Sequence, residues 1–150
     1  MQKIAVVWLK RDLRLSDHEP LATAIRGGLP VLLIYCFEPS LVAAPQSDDR
    51  HWRFVWESLE ELKSRLKNLQ STVAIFHAEV KEVFEKLMSE FQIQTVYSHQ
   101  ETGIKITYDR DLRLNGKNLP SKACSVEGKI ETDGEIPGLV LRKLRFNTLI

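Results

Sequence analysis

The sequence predicts an α/β domain: a parallel, doubly wound sheet of four to five strands with helices on both faces. Two observations carry this. Four short, β-rich apolar runs recur along the first hundred residues, and amphipathic segments with helical spacing lie between them. Runs that are apolar throughout suit strands covered on both faces, and strand–helix alternation implies right-handed crossovers between parallel neighbours.

Ile4–Leu9 is the first such run and leads straight into a charge cluster, Lys10, Arg11, Asp12 and Arg14. Ser16-Asp17 reads as a helix cap, with a helix expected from about Ser16 to Arg26 and stopped by Gly27-Gly28. Val31–Phe37 is the second strand, followed by the polar turn Glu38-Pro39-Ser40 and a longer connection containing Pro45. The clearest helix carries Trp52, Val55, Trp56, Leu59, Leu62, Leu66 and Leu69 at spacings of three and four, with Ser47, Asp48 and Asp49 as cap candidates. Thr72–Phe76 is a third strand, Val80 to Phe91 a third helix and Gln94–Ser98 a fourth strand. The loop His99-Gln-Glu-Thr-Gly103 follows, with a helix expected from near Ile104. Between Asn115 and Thr148 no periodicity supports an element, apart from a short strand around Leu139–Leu141.

At 150 residues, 43% hydrophobic and 27% charged, the chain fits one globular domain with a real core. A formal charge of +1 gives no electrostatic reason to expect nucleic-acid or membrane binding. The first apolar run is too short for a secretory signal and ends in Lys10-Arg11, and no stretch approaches a membrane span. Cys36 and Cys124 lie far apart, which suits reduced thiols and a cytoplasmic protein.

Negative motif evidence narrows the chemistry. Gly-x-Gly-x-x-Gly does not follow the first strand, and neither a P-loop nor Gly-x-Ser-x-Gly occurs. His18, His51, His77 and His99 have no metal-ligand spacing with one another or with the cysteines, so no metal is expected. Candidate binding residues are those on loops at the carboxyl ends of the strands, where ligands of open parallel sheets bind. They are Arg11, Phe37, Glu38, Glu101 and Gly103, with His51 and Arg53 at the start of the long helix as weaker candidates. Each has a plainer reading. Arg11, Asp12 and Arg14 also suit loop ion pairs, Phe37 a core ring, and the 99–103 loop ordinary solvated polarity.

Trp8-Leu-Lys-Arg-Asp-Leu-Arg-Leu-Ser-Asp-His-Glu-Pro-Leu21 resembles the opening signature of DNA photolyases and cryptochromes, with Lys10 in place of the first Arg and His18 in place of an Asn. Phe37-Glu-Pro-Ser-Leu41, the Arg50–Leu62 helix, Val96–Gly103 and Thr107–Asp111 resemble further family motifs in the same order, the last two of a bacterial cryptochrome-like branch. The resemblance covers residues 1–113 and implies a Rossmann-like domain that holds an antenna chromophore, a folate, deazaflavin or flavin. It implies that FAD and damaged DNA bind a separate helical domain, which this sequence lacks, so the chain alone is expected to be inactive as a lyase. The family's electron-relay tryptophans belong to that domain, so Trp8, Trp52 and Trp56 do not inherit their role. Glu101 aligns with an acidic position that contacts the antenna in several relatives.

Family motifs expected after Arg113 are missing in frame. Shifted by one reading frame, codons for Asn115–Leu119 can encode Trp-Gln-Glu-Phe, and codons for Lys129–Gly134 can encode Asp-Arg-Asp-Gly-Trp, both segments resembling the family. The expectation is a deletion near Arg113 that leaves 114–150 as an out-of-frame tail; the alternative is a genuine divergent ending. Two other functional readings stay open. One is a small module that binds adenine nucleotides at the same sheet edge. The other is a non-binding remnant whose unpaired edge strand promotes a homodimer.

Overall fold

The computed structural model describes residues 1–99. Within them the element order is β1 (Lys3–Leu9), α1 (Glu19–Arg26), β2 (Val31–Cys36), α2 (Pro39–Val42), α3 (Asp49–Lys67), β3 (Val73–Phe76), α4 (Val80–Glu90) and β4 (Gln92–Tyr97). The four strands form one parallel sheet in the order β3-β2-β1-β4. The expected α/β architecture is therefore present. The expected fifth strand, the helix from Ile104, and the tail 114–150 lie outside the described residues.

Side chains of β1 alternate between two cores. Ile4, Val6 and Trp8 pack with Val80, Val83, Phe84 and Leu87 of α4 on one face. Ala5, Val7 and Leu9 pack with Leu21 and Ala24 of α1 and with Val55, Leu59, Leu62 and Leu66 of α3 on the other. This is why the strand reads as apolar throughout: both faces are covered by helices. Burial is complete along its interior, and Ile4, Val6 and Val7 have no exposed surface.

The order places β1 at the centre and sends successive connections in opposite directions. From β1 the chain winds outward through β2 to β3, then returns to place β4 on the other side of β1. The carboxyl ends of β1 and β4 are thus neighbours at the sheet edge where ligands of such folds usually bind.

Three local differences from the sequence-based expectation bear on that edge. Helix α1 begins at Glu19 rather than Ser16, because Asp17 takes a left-handed conformation with φ 53° and His18 becomes the N-cap. Asp is among the few residues that tolerate this region. Pro39–Val42 forms a short helix where a plain connection was expected. Its Ser40 N–H and Oγ–H both donate to the Glu79 carboxylate, which ties it to the start of α4. Only part of the expected apolar stripe meets the sheet: Trp56 on α3 is about half exposed, at 49%, and Leu69, at 48%, falls past the end of the helix.

The packing makes a direct stability prediction. Phe84 is 2% exposed and packs edge-on against Trp8 with ring centroids 6.0 Å apart, whereas Phe54 is 67% exposed. Phe84→Ala is expected to cost ~3–5 kcal/mol and Phe54→Ala within ~0.5 kcal/mol. Urea unfolding of the two variants measures the difference.

Candidate functional site

Two arrangements occupy the carboxyl edge of the sheet, one on each side of the loop after β1. The first is a cavity of about 630 Å³ between that loop, the end of β2 and the start of α3. Trp8, Tyr35 and Trp52 supply aromatic surface; Lys10, Arg11 and Arg14 supply cations; Glu38, Asp48 and His51 complete the polar wall. Trp52 is held by its indole N–H, which donates to Ser47 Oγ, and by the helix cap, where Asp48 accepts from the Arg50 N–H. Lys10 is buried, with its ammonium 4.3 Å from the centre of the Trp8 ring, a cation–π contact. Glu38 is also buried, at 3% exposure.

The sequence-predicted residues divide here. Arg11, Glu38 and His51 line the cavity together. Phe37 is not among the lining residues; its ring packs against Tyr35, Trp52 and Trp56 at centroid distances of 5.0, 6.0 and 6.2 Å, behind the cavity's aromatic wall. Arg53 is an exposed residue of α3 outside the cavity lining. Glu101 and Gly103 lie outside the described residues. Lys10, Trp8 and Trp52 are cavity residues that spacing alone did not single out, since a buried lysine and a half-buried tryptophan look like ordinary surface and core positions in sequence.

The second arrangement lies just past the carboxyl ends of β1 and β4 and joins Asp12, His18 and His99. Asp12 is 6% exposed, yet its carboxyl is held well below the usual carboxylate range. Burial is the largest influence and favours the neutral acid. Hydrogen bonding and electrostatic attraction from His18, together with hydrogen bonds from the Lys10 amide and His99, outweigh it. The Lys10 N–H donates to Asp12 Oδ1 at 2.8 Å, and His99 Nδ1 lies 2.5 Å from Asp12 Oδ2. His18 Nε2 is buried, has no hydrogen-bond partner of ordinary geometry, and meets the same Oδ2 as a close ionic contact. Lys10 Nζ then reaches across and donates to the His99 backbone carbonyl at 3.0 Å.

The hydrogen bonds assign the proton on His18. Its Nδ1 accepts from the Leu21 N–H at 3.1 Å, so in the neutral ring the proton sits on Nε2, facing the Asp12 carboxylate. That also bears on metal binding. Asp12, His18 and His99 bring three potential ligand atoms within 4.8 Å of one another, a convergence that sequence spacing missed because His99 is far from the other two in the chain. A cation held by Nε2 would require a proton on Nδ1, which is already an acceptor, and the nearby Lys10 ammonium adds repulsion. The arrangement fits a hydrogen-bonded cluster better than a metal centre.

Comparisons with known proteins agree with the fold and place the chain in a family. Residues 5–117 match the family model for DNA photolyase. A cryptochrome DASH of Gloeobacter violaceus is 34% identical over 81% of this chain and 26% of its own length. Cryptochrome-1 of Erithacus rubecula is 32% identical over 97% of this chain and 25% of its own. Among solved structures, the Synechocystis cryptochrome superposes with a TM-score of 0.65 at 26% identity over 75% of this chain and 24% of that one. A class III photolyase from Agrobacterium tumefaciens gives 0.66 at 26% identity, over 83% and 26%. The fold and this match define an α/β domain of the photolyase type. The chain belongs to the DNA photolyase family and spans about a quarter of the length of the relatives it matches. Among the described residues no helix is long and apolar enough to cross a membrane.

Removing the central carboxylate tests the cluster. Asp12→Asn is expected to cost ~2–3 kcal/mol at pH 7, the scale of hydrogen bonds to a charged group. Because the folded-state pKa is depressed, this stability is present above the ordinary value of 3.8 and is lost as pH falls below it. Denaturant unfolding at pH 7 and pH 3 should therefore show the gap between wild type and Asp12→Asn narrowing in acid.

Proposed function

We propose that this chain is the chromophore-holding α/β domain of a photolyase- or cryptochrome-type protein. The observation that carries the reading is the cavity beside β1 and β2, lined by Trp8, Tyr35 and Trp52 with Lys10, Arg11 and Arg14 at its polar side. Its volume of about 630 Å³ suits a flat ring system with an anionic tail, within the ~300–1,000 Å³ of small-molecule sites. The ligand class is a folate, deazaflavin or flavin. Aromatic side chains stack on the ring, cations meet the tail, and the buried Glu38 carboxylate accepts a hydrogen bond from a ring N–H.

A light-harvesting role needs fixed geometry and exclusion of water, with no acid–base group, so no catalytic residue is assigned. FAD binding, light-driven electron transfer and contact with DNA are proposed for the rest of a full-length relative and not for this segment. A cytoplasmic location belongs to the same proposal. The competing reading is an adenine-nucleotide module, which the cationic wall of Lys10, Arg11 and Arg14 also favours.

Tryptophan quenching on titration with flavin mononucleotide, a reduced folate and ATP separates these readings. The proposal expects flavin or folate to bind and Trp52→Ala to weaken binding by about tenfold, the scale of one aromatic contact. Tighter binding of ATP would favour the nucleotide module. No binding by any of the three would leave a domain without a ligand.

A further inference from the structure

We propose that the segment 39–47, which joins β2 to α3 through α2, is a strap that opens and closes as one unit over the cavity. That the strap admits a chromophore rests on the function proposed above; that it moves as a unit does not. Leu41, Ala44 and Ser47 line the cavity, with Gln46 and Asp48 beside them, so this stretch is one wall of the site. Unlike the walls supplied by β1, β2 and α3, it has no buried residue of its own. Among the described residues, Leu41, Val42 and Ala44 belong to neither of the two cores.

What holds the strap is polar and sits at its two ends. At the first, Ser40 N–H and Oγ–H donate to the Glu79 carboxylate at 2.8 and 3.0 Å, in a contact exposed to solvent. At the second, Ser47 Oγ accepts from the indole N–H of Trp52, a ring that lines the cavity. Local backbone bonds make a compact turn of what lies between. The Val42 and Ala43 N–H groups donate to the Glu38 and Pro39 carbonyls, and the Ser47 N–H donates to the Ala44 carbonyl.

The catch at the first end is specific. Glu79 is the N-cap residue of α4, where a side-chain oxygen ordinarily accepts from its own helix, yet it makes no capping bond and turns to Ser40 instead. Its carboxylate therefore serves the strap. A segment bonded within itself, with no buried apolar anchor, opens at a free energy well below that of the whole domain and opens as a piece. Swinging it outward transfers the bonds at both ends to water and leaves the two cores untouched. The same motion releases Trp52, so the mouth widens and the ring beside it loosens together.

Hydrogen exchange followed by NMR on the full chain, without ligand, tests the unit. In Glu79→Ala the Ser40, Val42, Ala43 and Ser47 amides and the Trp52 indole N–H should all exchange about tenfold faster, the scale of one hydrogen bond to a charged group. Ser40→Ala, which removes one of the two bonds, should speed the same set by a smaller factor. The amide of Leu59, a core residue of α3, should not change in either variant. Acceleration confined to Ser40 overturns the proposal, because the ends then move separately. Equal acceleration at Leu59 in both variants overturns it too, by making the response global. Flavin mononucleotide that quenches tryptophan fluorescence should slow the wild-type set together; bound flavin that leaves the set at its free rate overturns the strap as a gate. Absence of flavin quenching tells against the chromophore reading of the cavity, while the ligand-free exchange decides the strap by itself.

Discussion

The ionised carboxylate of Asp12, buried at the end of a central strand, is the constraint on which the sheet's carboxyl edge depends. A charge in that position is costly unless hydrogen-bonded, and here the Lys10 amide and two histidine rings surround it. Those partners come from the loop after β1, the cap of α1 and the end of β4, so satisfying one charge holds three elements in register. Lys10, whose amide serves Asp12, extends its side chain over Trp8 to the His99 carbonyl and joins the cluster to the cavity wall.

This explains an uneven edge. In doubly wound sheets the crevice between diverging loops is the usual place for a ligand. In this chain Asp12 contacts His99 just past the ends of β1 and β4, and an open volume lies between β1, β2 and α3. Helix α2 and the polar segment up to Asp48 wall that volume, and the Ser40–Glu79 hydrogen bonds tie the wall to α4.

Much of this was legible from the sequence, for identifiable reasons. Strands covered on both faces are continuously apolar, so β1 and β2 stood out, and Val55, Leu59, Leu62 and Leu66 marked the buried face of α3. The same periodicity overstated that face, since Trp56 points beyond the area the sheet covers and Leu69 falls past the helix end at Lys67. The start of α1 was misplaced because Ser16-Asp17 carries a capping signature, whereas the left-handed backbone at Asp17 hands the cap to His18. Arg11, Glu38 and His51 were recognisable from their places after strands or at a helix start, and they do meet at the cavity. The Asp12–His18–His99 cluster was not recognisable, because only the pairing of β1 with β4 brings positions so distant in sequence together.

The proposed ligand site is the open volume on the β1–β2 side, beside and not between the ends of β1 and β4, where Asp12 contacts His99. Crystallography of the chain with its tightest-binding flavin or folate tests this most directly. The account predicts the ring against Trp52 and beside Lys10, with the contact between Asp12 and His99 intact. A ring lying between the loops after β1 and β4, with that contact broken, would contradict it.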